Sequence, residues 1–522
     1  MKAFLDQLVK INGVVYDFVW GKIGVILLLG AGIVLTFSTK FFQLTHIKHW
    51  FEKTIGSLFV EDKSKNESED KKGTVSPFQA LCTALGATIG TGNVAGVSAA
   101  IVLGGPGAVF WMWVSAFFGM ITKFAEITLG LYFRRKNKDG EWSGGAMYYL
   151  EDGFGSYKGC KKIGKVLAVL FALFTAIAAF GIGNMGQINK ITLNIENAFF
   201  KEVNFGTVLG IPTLYLIIGA VLTVLGGLII LGGMDRIVSF AEKVVPFMAI
   251  FYIIGSLVLF FINSSRAGDV FTSIFRFAFT NKALAGGAAG AVISKIITQG
   301  CKRGVFSNEA GLGSSVMVHA SADTAEPVKQ GMWGIFEVFV DTFVVCTMTA
   351  FVILSSGLID LKRGVAIDGV KEATLVSQSF AQVFGVVGEI FVSVALLLFA
   401  FTTVISWSQY GAKAVEYLLG NRAVQVYKIL FVISIIFGAI VSSTIAWDIS
   451  DTFNGLMMIP NLIGVLSLLP LLIKLIKNYI DRNIKGKSIA PMLSYDKVLQ
   501  AEMEEKLKND LSLNTSNENK EK

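Results

Sequence analysis

Apolar residues recur along this chain in stretches long enough to cross a bilayer, separated by short polar or basic loops. Runs such as "IGVILLLGAGIVLTF" with its flanks and "FEVFVDTFVVCTMTAFVIL" meet the length needed for about 30 Å of hydrocarbon. The pattern predicts an all-α polytopic membrane protein of about eleven transmembrane helices. Their expected positions fall within 22–44, 77–103, 107–133, 163–190, 207–232, 235–262, 286–320, 329–357, 387–416, 425–446 and 449–476. "EDKSKNESEDKKGTVS" (61–76) is too hydrophilic to insert and reads as a solvated linker, and "LNTSNENKEK" at the end reads as a disordered polar tail. Two loops, "DVFTSIFRFAFT" (269–280) and "EATLVSQSFAQVFG" (372–385), carry helical periodicity and should lie across one face as partial covers.

Two of the spans are spoiled at their middle. "GATIGTGNVAG" (86–96) puts glycines, threonines and an asparagine into the second, and "GVFSNEAGLGSS" (304–315) does the same to the seventh. Glycine lowers helix stability by about 1 kcal/mol relative to alanine, and polar groups in hydrocarbon need partners. "GATIG" alone also fits a packing motif of small residues. Two interruptions at matching positions, each with Asn and Ser or Thr, point instead to a binding site. With the first span set aside, the rest divide into two sets of about five, each opening on its broken helix. An odd number per set makes the second enter from the opposite side. The expected organisation is therefore an N-terminal amphipathic segment and extra helix (1–60), the linker (61–76), a first repeat (77–265), an inverted second repeat (266–476) and a polar tail (477–522). A broken helix bares amides on one side and carbonyls on the other. The amides suit a carboxylate and the carbonyls a cation, so the break belongs around a polar cavity.

Composition agrees with this picture and narrows it. The chain of 522 residues is 53% hydrophobic and 16% charged, where a soluble protein carries about a quarter charged residues. Its net charge of +8 collects beside apolar spans, in "RRKNK" (134–138), "KGCKKIGK" (158–165) and "KLIKNYIDRNIKGK", which is the positive-inside pattern rather than a nucleic-acid surface. It orients the N-terminus outside and the C-terminus in the cytoplasm, with "MKAFLDQLVKINGVVYDFVWGK" as an amphipathic lead-in on the outer surface. The economy of the chain suggests a bacterial or archaeal plasma (inner) membrane. Scattered Cys82, Cys160, Cys301 and Cys346 lack metal-ligand spacing, and neither a nucleotide-binding loop nor a nucleophile or metal constellation is visible. The expectation is a transporter and not an enzyme, with no resident metal and no nucleic-acid partner.

"GATIGTGNVAGVSAAIVLGGPGAVFWMW" with "GMITKFAE", "GNMGQINKI" (183–191), "RGVFSNEAGLGSS" and "FTTVISWSQYGAKAVEYLLG" (401–420) together resemble the alanine/glycine:cation symporter family, the sodium:alanine symporters, across roughly residues 77–475. The resemblance implies the leucine-transporter fold of two inverted five-helix repeats. It also implies sodium-coupled symport of a small neutral amino acid, alanine or glycine, by alternating access. Sodium enters as the co-transported ion. By that likeness, Gly86 and Ile89 lie near a sodium opposite the hydroxyls of Thr402 and Thr403. Thr88, Thr91, Gly92 and Asn93 face the substrate or a neighbouring ion, with Phe306, Ser307 and Asn308 in the corresponding second unwound stretch. Gln187 resembles a substrate-contacting glutamine, and Trp407, one turn beyond Thr403, forms a pocket wall.

The chemistry of these groups is compatible with those roles. Hydroxyl and backbone oxygens suit sodium, while an amino acid needs donors at its carboxylate and acceptors at its ammonium. Intramembrane charges are costly unless paired or functional. Lys123 and Glu126 are expected to neutralise each other; bracing the second break is the favoured role for Glu309, with cation binding or a pair with Lys302 or Arg303 as alternatives, and Glu337 and Asp341 are unassigned. A same-fold symporter for another cargo, or coupling to protons, is the competing expectation. Oligomeric state is not legible.

Overall fold

The computed structural model describes residues 2–59, 74–201, 203–279, 289–441 and 444–518, so most of the 61–76 linker lies outside the described residues. The chain is a helical bundle. Eight helices are long and apolar enough to cross a membrane, or up to ten if each of two bent pairs counts as one span, among the described residues. The segment expected at 286–320 contributes the helix Ala289–Asn308, whose Lys295, Lys302 and Arg303 keep it outside that apolar set.

Both expected interruptions are present. Ser76 and Gln79 form a reciprocal capping box that starts the helix Pro77–Thr88. The chain then bends by 52° into Gly92–Gly104. The second break differs in register from its expectation. Phe306, Ser307 and Asn308 remain in the last turn of Ala289–Asn308, and unwinding begins at Glu309, where φ is +56°, continuing through Gly311 and Gly313 at +93° and +74°. A short helix, Val316–His319, follows. The last expected span, 449–476, is likewise not straight. It turns by 60° between Asp448–Ser467 and Leu469–Asn483, where Pro470 opens the new helix.

The helix Gly107–Tyr132 is buried along most of its length and packs against Lys22–Ser38, Ala289–Asn308 and Pro327–Val338. Pro77–Thr88 lies against Met234–Ile262 and Val386–Leu419. The N-terminal helix Lys2–Trp20 is more than a surface lead-in. Val19 and Trp20 are buried with Leu312 and Met458, and the Trp20 indole donates to the Asp451 carbonyl at 2.8 Å.

The C-terminal region also departs from the sequence expectation. The helix Lys497–Glu518 extends into the stretch read as a disordered tail, residues 519–522 being outside the described ones. Leu493, Leu499 and Met503 pack on Trp142 and Ala325. They cover the connection that follows the second break. Residues 320–326 are held there by several partners. Val75, just ahead of the first broken span, exchanges backbone hydrogen bonds with Ser321 and Asp323 at 3.1 and 2.7 Å. Arg482 clamps Glu326 bidentately at 2.7 and 3.0 Å. Arg134 donates to the carbonyls of Ala320, Ala322 and Thr324 at 2.7–3.0 Å and stacks 3.7 Å from the Trp142 ring.

Arg134→Ala should therefore lower the thermal midpoint in detergent by more than a surface substitution such as Lys158→Ala. Leaving buried carbonyls unpaired costs about 1–3 kcal/mol each. Lysine at the same position should recover only part of the loss, because it lacks the planar fork.

Candidate functional site

The two breaks meet at the centre of the bundle. A methyl group on Gly92 would stand 3.3 Å from the Phe306 ring and 3.4 Å from the Ser307 Cα. Within the first break, the freed amide of Gly90 donates to Asn93 Oδ1 at 2.9 Å. Within the second, the amide of Ala310 donates to Asn308 Oδ1 at 3.0 Å. Each asparagine thus replaces a helical acceptor lost at its break, as local side-chain bonding allows.

Asp341 joins these two stretches. Its Oδ1 accepts from Asn93 Nδ2 at 2.7 Å and from the Ser307 hydroxyl at 3.0 Å, and its Oδ2 accepts from Thr342 at 2.8 Å. All four residues are fully buried. Asn308 reaches the same group through Thr342 Oγ1 at 3.0 Å. Among the described residues no lysine or arginine pairs with Asp341, so this carboxylate sits among neutral donors alone. An acidic group in an apolar span is itself a sequence signal, but its partners on two other elements are not.

The residues expected around a cation divide by geometry. The Thr403 hydroxyl lies between the Gly86 carbonyl at 3.1 Å and the Phe399 carbonyl of its own helix at 2.9 Å. The Thr402 hydroxyl turns to the carbonyls of its own helix, Leu398 and Phe399, at 2.9 Å, although its Cβ is 3.7 Å from the position of a Gly86 methyl. Ile89 is buried at the end of the first half-helix. Ser406 completes this face and escaped the sequence reading. Its hydroxyl oxygen lies 2.7 Å from where a Gly86 side chain would begin, and it has no hydrogen-bond partner. The spacing Thr402, Thr403, Ser406, one helical turn, was the available clue.

The expected substrate residues are also brought together, with one turned aside. Thr91 donates to Gln187 Oε1 at 3.0 Å, and Gln187 donates to the Ile182 carbonyl at 3.0 Å. Trp407 is buried over Gly183 and donates its indole N–H to Glu309 Oε1 at 3.1 Å. The Thr88 hydroxyl points along its own helix to Ala84 and Leu85 at 3.3 and 3.4 Å.

The brace behind the second break is rearranged relative to expectation. Glu309 accepts from both Trp407 and Ser314, tying the unwound loop to the Val386–Leu419 helix. Lys123 does not neutralise Glu126. It pairs with Glu337 at 3.3 Å and donates to Ser315 at 3.0 Å. Glu337 also faces His319 at 3.2 Å, and His319 faces Gln330 at 2.9 Å. Glu126 instead accepts from Asn461 at 2.5 Å, and that same amide holds the Gly311 carbonyl at 2.8 Å. Spacing on one helix allowed the Lys123–Glu126 pair. The buried interior instead pairs Lys123 with Glu337 on another helix and leaves Glu126 to the Asn461 amide.

Comparison with known proteins agrees with this architecture. The family model described as "Sodium:alanine symporter family" matches residues 5–492. The chain is 43% identical over 460 residues to the "Sodium/alanine symporter AgcS" of Methanococcus maripaludis, covering 88% of this chain and 94% of that protein. It is 35% identical to the "Probable sodium/glutamine symporter GlnT" of Bacillus subtilis, covering 93% of each. Among solved structures, MhsT in complex with L-phenylalanine superimposes with a TM-score of 0.51 at 13% identity, over 78% of this chain and 99% of that one. That likeness shows the leucine-transporter fold.

A methyl at Gly183 would fall 2.6 Å from the Trp407 ring, whereas Gly96 has open space around it. Gly183→Ala should displace the indole from Glu309 and lower the thermal midpoint, by the roughly 1–3 kcal/mol typical of overpacking. Gly96→Ala should leave the midpoint unchanged or raised.

Proposed function

Because the chain belongs to the sodium:alanine symporter family, we propose that it is a secondary transporter that uses the sodium gradient to accumulate alanine and glycine by alternating access. The observation that carries this reading is the junction at Asp341, where both broken helices meet on a carboxylate without a cationic side chain. A desolvated carboxylate of this kind calls for a cation or a proton. Sodium bound beside Asp341 would draw Asn93 and Ser307 together. One ion would then report its occupancy to both unwound stretches. A second cation position fits between the Gly86 carbonyl, Thr403 and the free hydroxyl of Ser406, with Ile89 and Thr402 on the same faces.

The amino acid lies in this reading between Thr91, Gly92, Asn93 and Gln187 on one side and Phe306, Ser307, Asn308 and Trp407 on the other, with Thr88 behind the first group. Trp407, held by Glu309 and pressed on Gly183, is a rigid wall that leaves room for a hydrogen or methyl side chain. The repeats 77–265 and 266–476 rock against each other around these ligands. The N-terminus is outside, so the C-terminal helix and the 320–326 connection face the cytoplasm. One sodium entering down about 100 mV supplies roughly 2.3 kcal/mol, which supports accumulation of about fortyfold before any sodium concentration gradient is added. Coupling is reciprocal, so sodium raises amino-acid affinity by the factor that the amino acid raises sodium affinity.

The testing experiment is uptake of labelled alanine into proteoliposomes with and without an inward sodium gradient. Sodium-dependent accumulation that collapses with a sodium ionophore is the expected result. The neutral ring around Asp341 also suits a protonated carboxyl, and accumulation driven by an imposed proton gradient without sodium would replace sodium by the proton. Uptake of glutamine but not alanine would keep the mechanism and change the cargo.

Two substitutions sharpen the test. Asp341→Asn keeps the shape and removes the charge. It should abolish gradient-driven accumulation, or raise the sodium concentration for half-maximal uptake by at least about tenfold, the loss of one charge-assisted interaction. Trp407→Ala should let larger neutral amino acids compete for alanine uptake; an unchanged competition profile would remove the tryptophan from the pocket wall.

A further inference from the structure

Lys190 lies three residues beyond Gln187 on the helix Gly186–Phe199, and its Nζ donates to the Thr91 hydroxyl at 3.2 Å. An ammonium only donates hydrogen bonds. Thr91 must accept from it and commit its own proton to Gln187 Oε1, 3.0 Å away. Gln187 is thereby oriented with its amide nitrogen toward the Ile182 carbonyl at 3.0 Å. One cation fixes the order of donors and acceptors across two of the residues assigned to the amino acid.

Lys190 is exposed, yet charged groups from three other elements stand within electrostatic range. They are Arg303 of the Ala289–Asn308 helix, Asp451 of the last span and Glu372 of the connection before Leu375–Phe384. It therefore lines an internal recess rather than the lipid face, where such charges do not gather. Among the described residues Lys190 forms no ion pair. Its ammonium keeps N–H donors beyond the one given to Thr91, and Gln187 keeps a second amide N–H. Arg303 adds to the same side. Its guanidinium is 6.0 Å from the Phe306 ring, and its Nε is buried without a hydrogen-bond partner.

These unused donors match a carboxylate, which accepts hydrogen bonds and carries the charge opposite to that of Lys190. We propose that Lys190 reads the carboxylate end of the amino acid, holding it against Thr91 and Gln187, and that its charge excludes analogues in which that carboxylate is replaced by a neutral group. The inference rests on the amino-acid transport reading above and adds a selectivity residue to it. An amino acid presents a charged acceptor to Lys190, whereas its amide presents a neutral one and brings an ammonium beside the lysine.

The test compares native protein, Lys190→Met and Lys190→Arg in proteoliposomes, using labelled alanine with unlabelled alanine or alaninamide as competitor. In Lys190→Met the KM for alanine should rise about ten- to a hundredfold, the loss of one hydrogen bond to a charged group. Maximal rate and thermal midpoint should change little. The preference for alanine over alaninamide should collapse by a similar factor, a readout that a packing role for the lysine stem would not move. Lys190→Arg retains the charge and should keep the discrimination, with KM within a few-fold of native. A folded Lys190→Met protein with native KM and native discrimination overturns the inference, as does an arginine variant that loses discrimination as completely as methionine. A native protein that accumulates no neutral amino acid under any gradient overturns the transport reading as well. Native alanine uptake with an indifferent Lys190→Met overturns the inference alone.

Discussion

The structure depends on what happens to backbone polar groups when two helices are broken inside an apolar phase. An amide or carbonyl without a partner costs several kcal/mol in hydrocarbon, so each break survives only because other elements supply partners. At the first break that role falls to Asn93, which takes the Gly90 amide and gives its own amide to Asp341. At the second, Asn308 takes the Ala310 amide and rests on Thr342. Asp341 and Thr342 are neighbours on one span, so both repairs end on the same turn. The breaks are thereby mechanically joined, and whatever neutralises Asp341 acts on both.

A second layer of contacts keeps the unwound stretch of the second span in place. Glu309 occupies a left-handed backbone conformation that non-glycine residues adopt at a cost of about 1–3 kcal/mol. Its carboxylate is anchored by Trp407 and Ser314, and the loop beyond it by Lys123 through Ser315 and by Asn461 through Gly311. Strain and anchorage together describe an element that is held in position and can be released. The connection after it, 320–326, is gripped by Val75 just ahead of the first broken span, by Arg134 and by the C-terminal region. The ends of the two broken spans are therefore tied to one another. The fold assigns the polar C-terminal region a structural place that its composition does not suggest.

Much of this was legible from residues alone. A run of glycine and small polar residues in an apolar span has few explanations, and two such runs at matching positions have fewer still, so the existence of both breaks could be read directly. Helical spacing placed Thr403 and Trp407 on one face, and the motifs around "GATIGTGNVAG" and "SNEAGLGSS" carried the family. The exact start of the second break was not legible, because Phe306, Ser307 and Asn308 are as compatible with a last helical turn as with an unwound one. Lys123 was misassigned for a related reason, since spacing offers Glu126 as a partner and says nothing of Glu337 on another helix.

What the sequence determined by itself is local or additive: apolar length, charge distribution, the positions where a helix cannot continue cheaply, and the family those patterns mark. The tertiary structure alone decided which polar groups meet. Asp341 with Asn93 and Ser307, Ser406 beside Gly86, Trp407 with Glu309, and Lys190 on Thr91 each join residues far apart in the chain. In a low-dielectric interior most buried donors and charges find partners, but many pairings satisfy that demand on paper. Packing of the helices selects one of them.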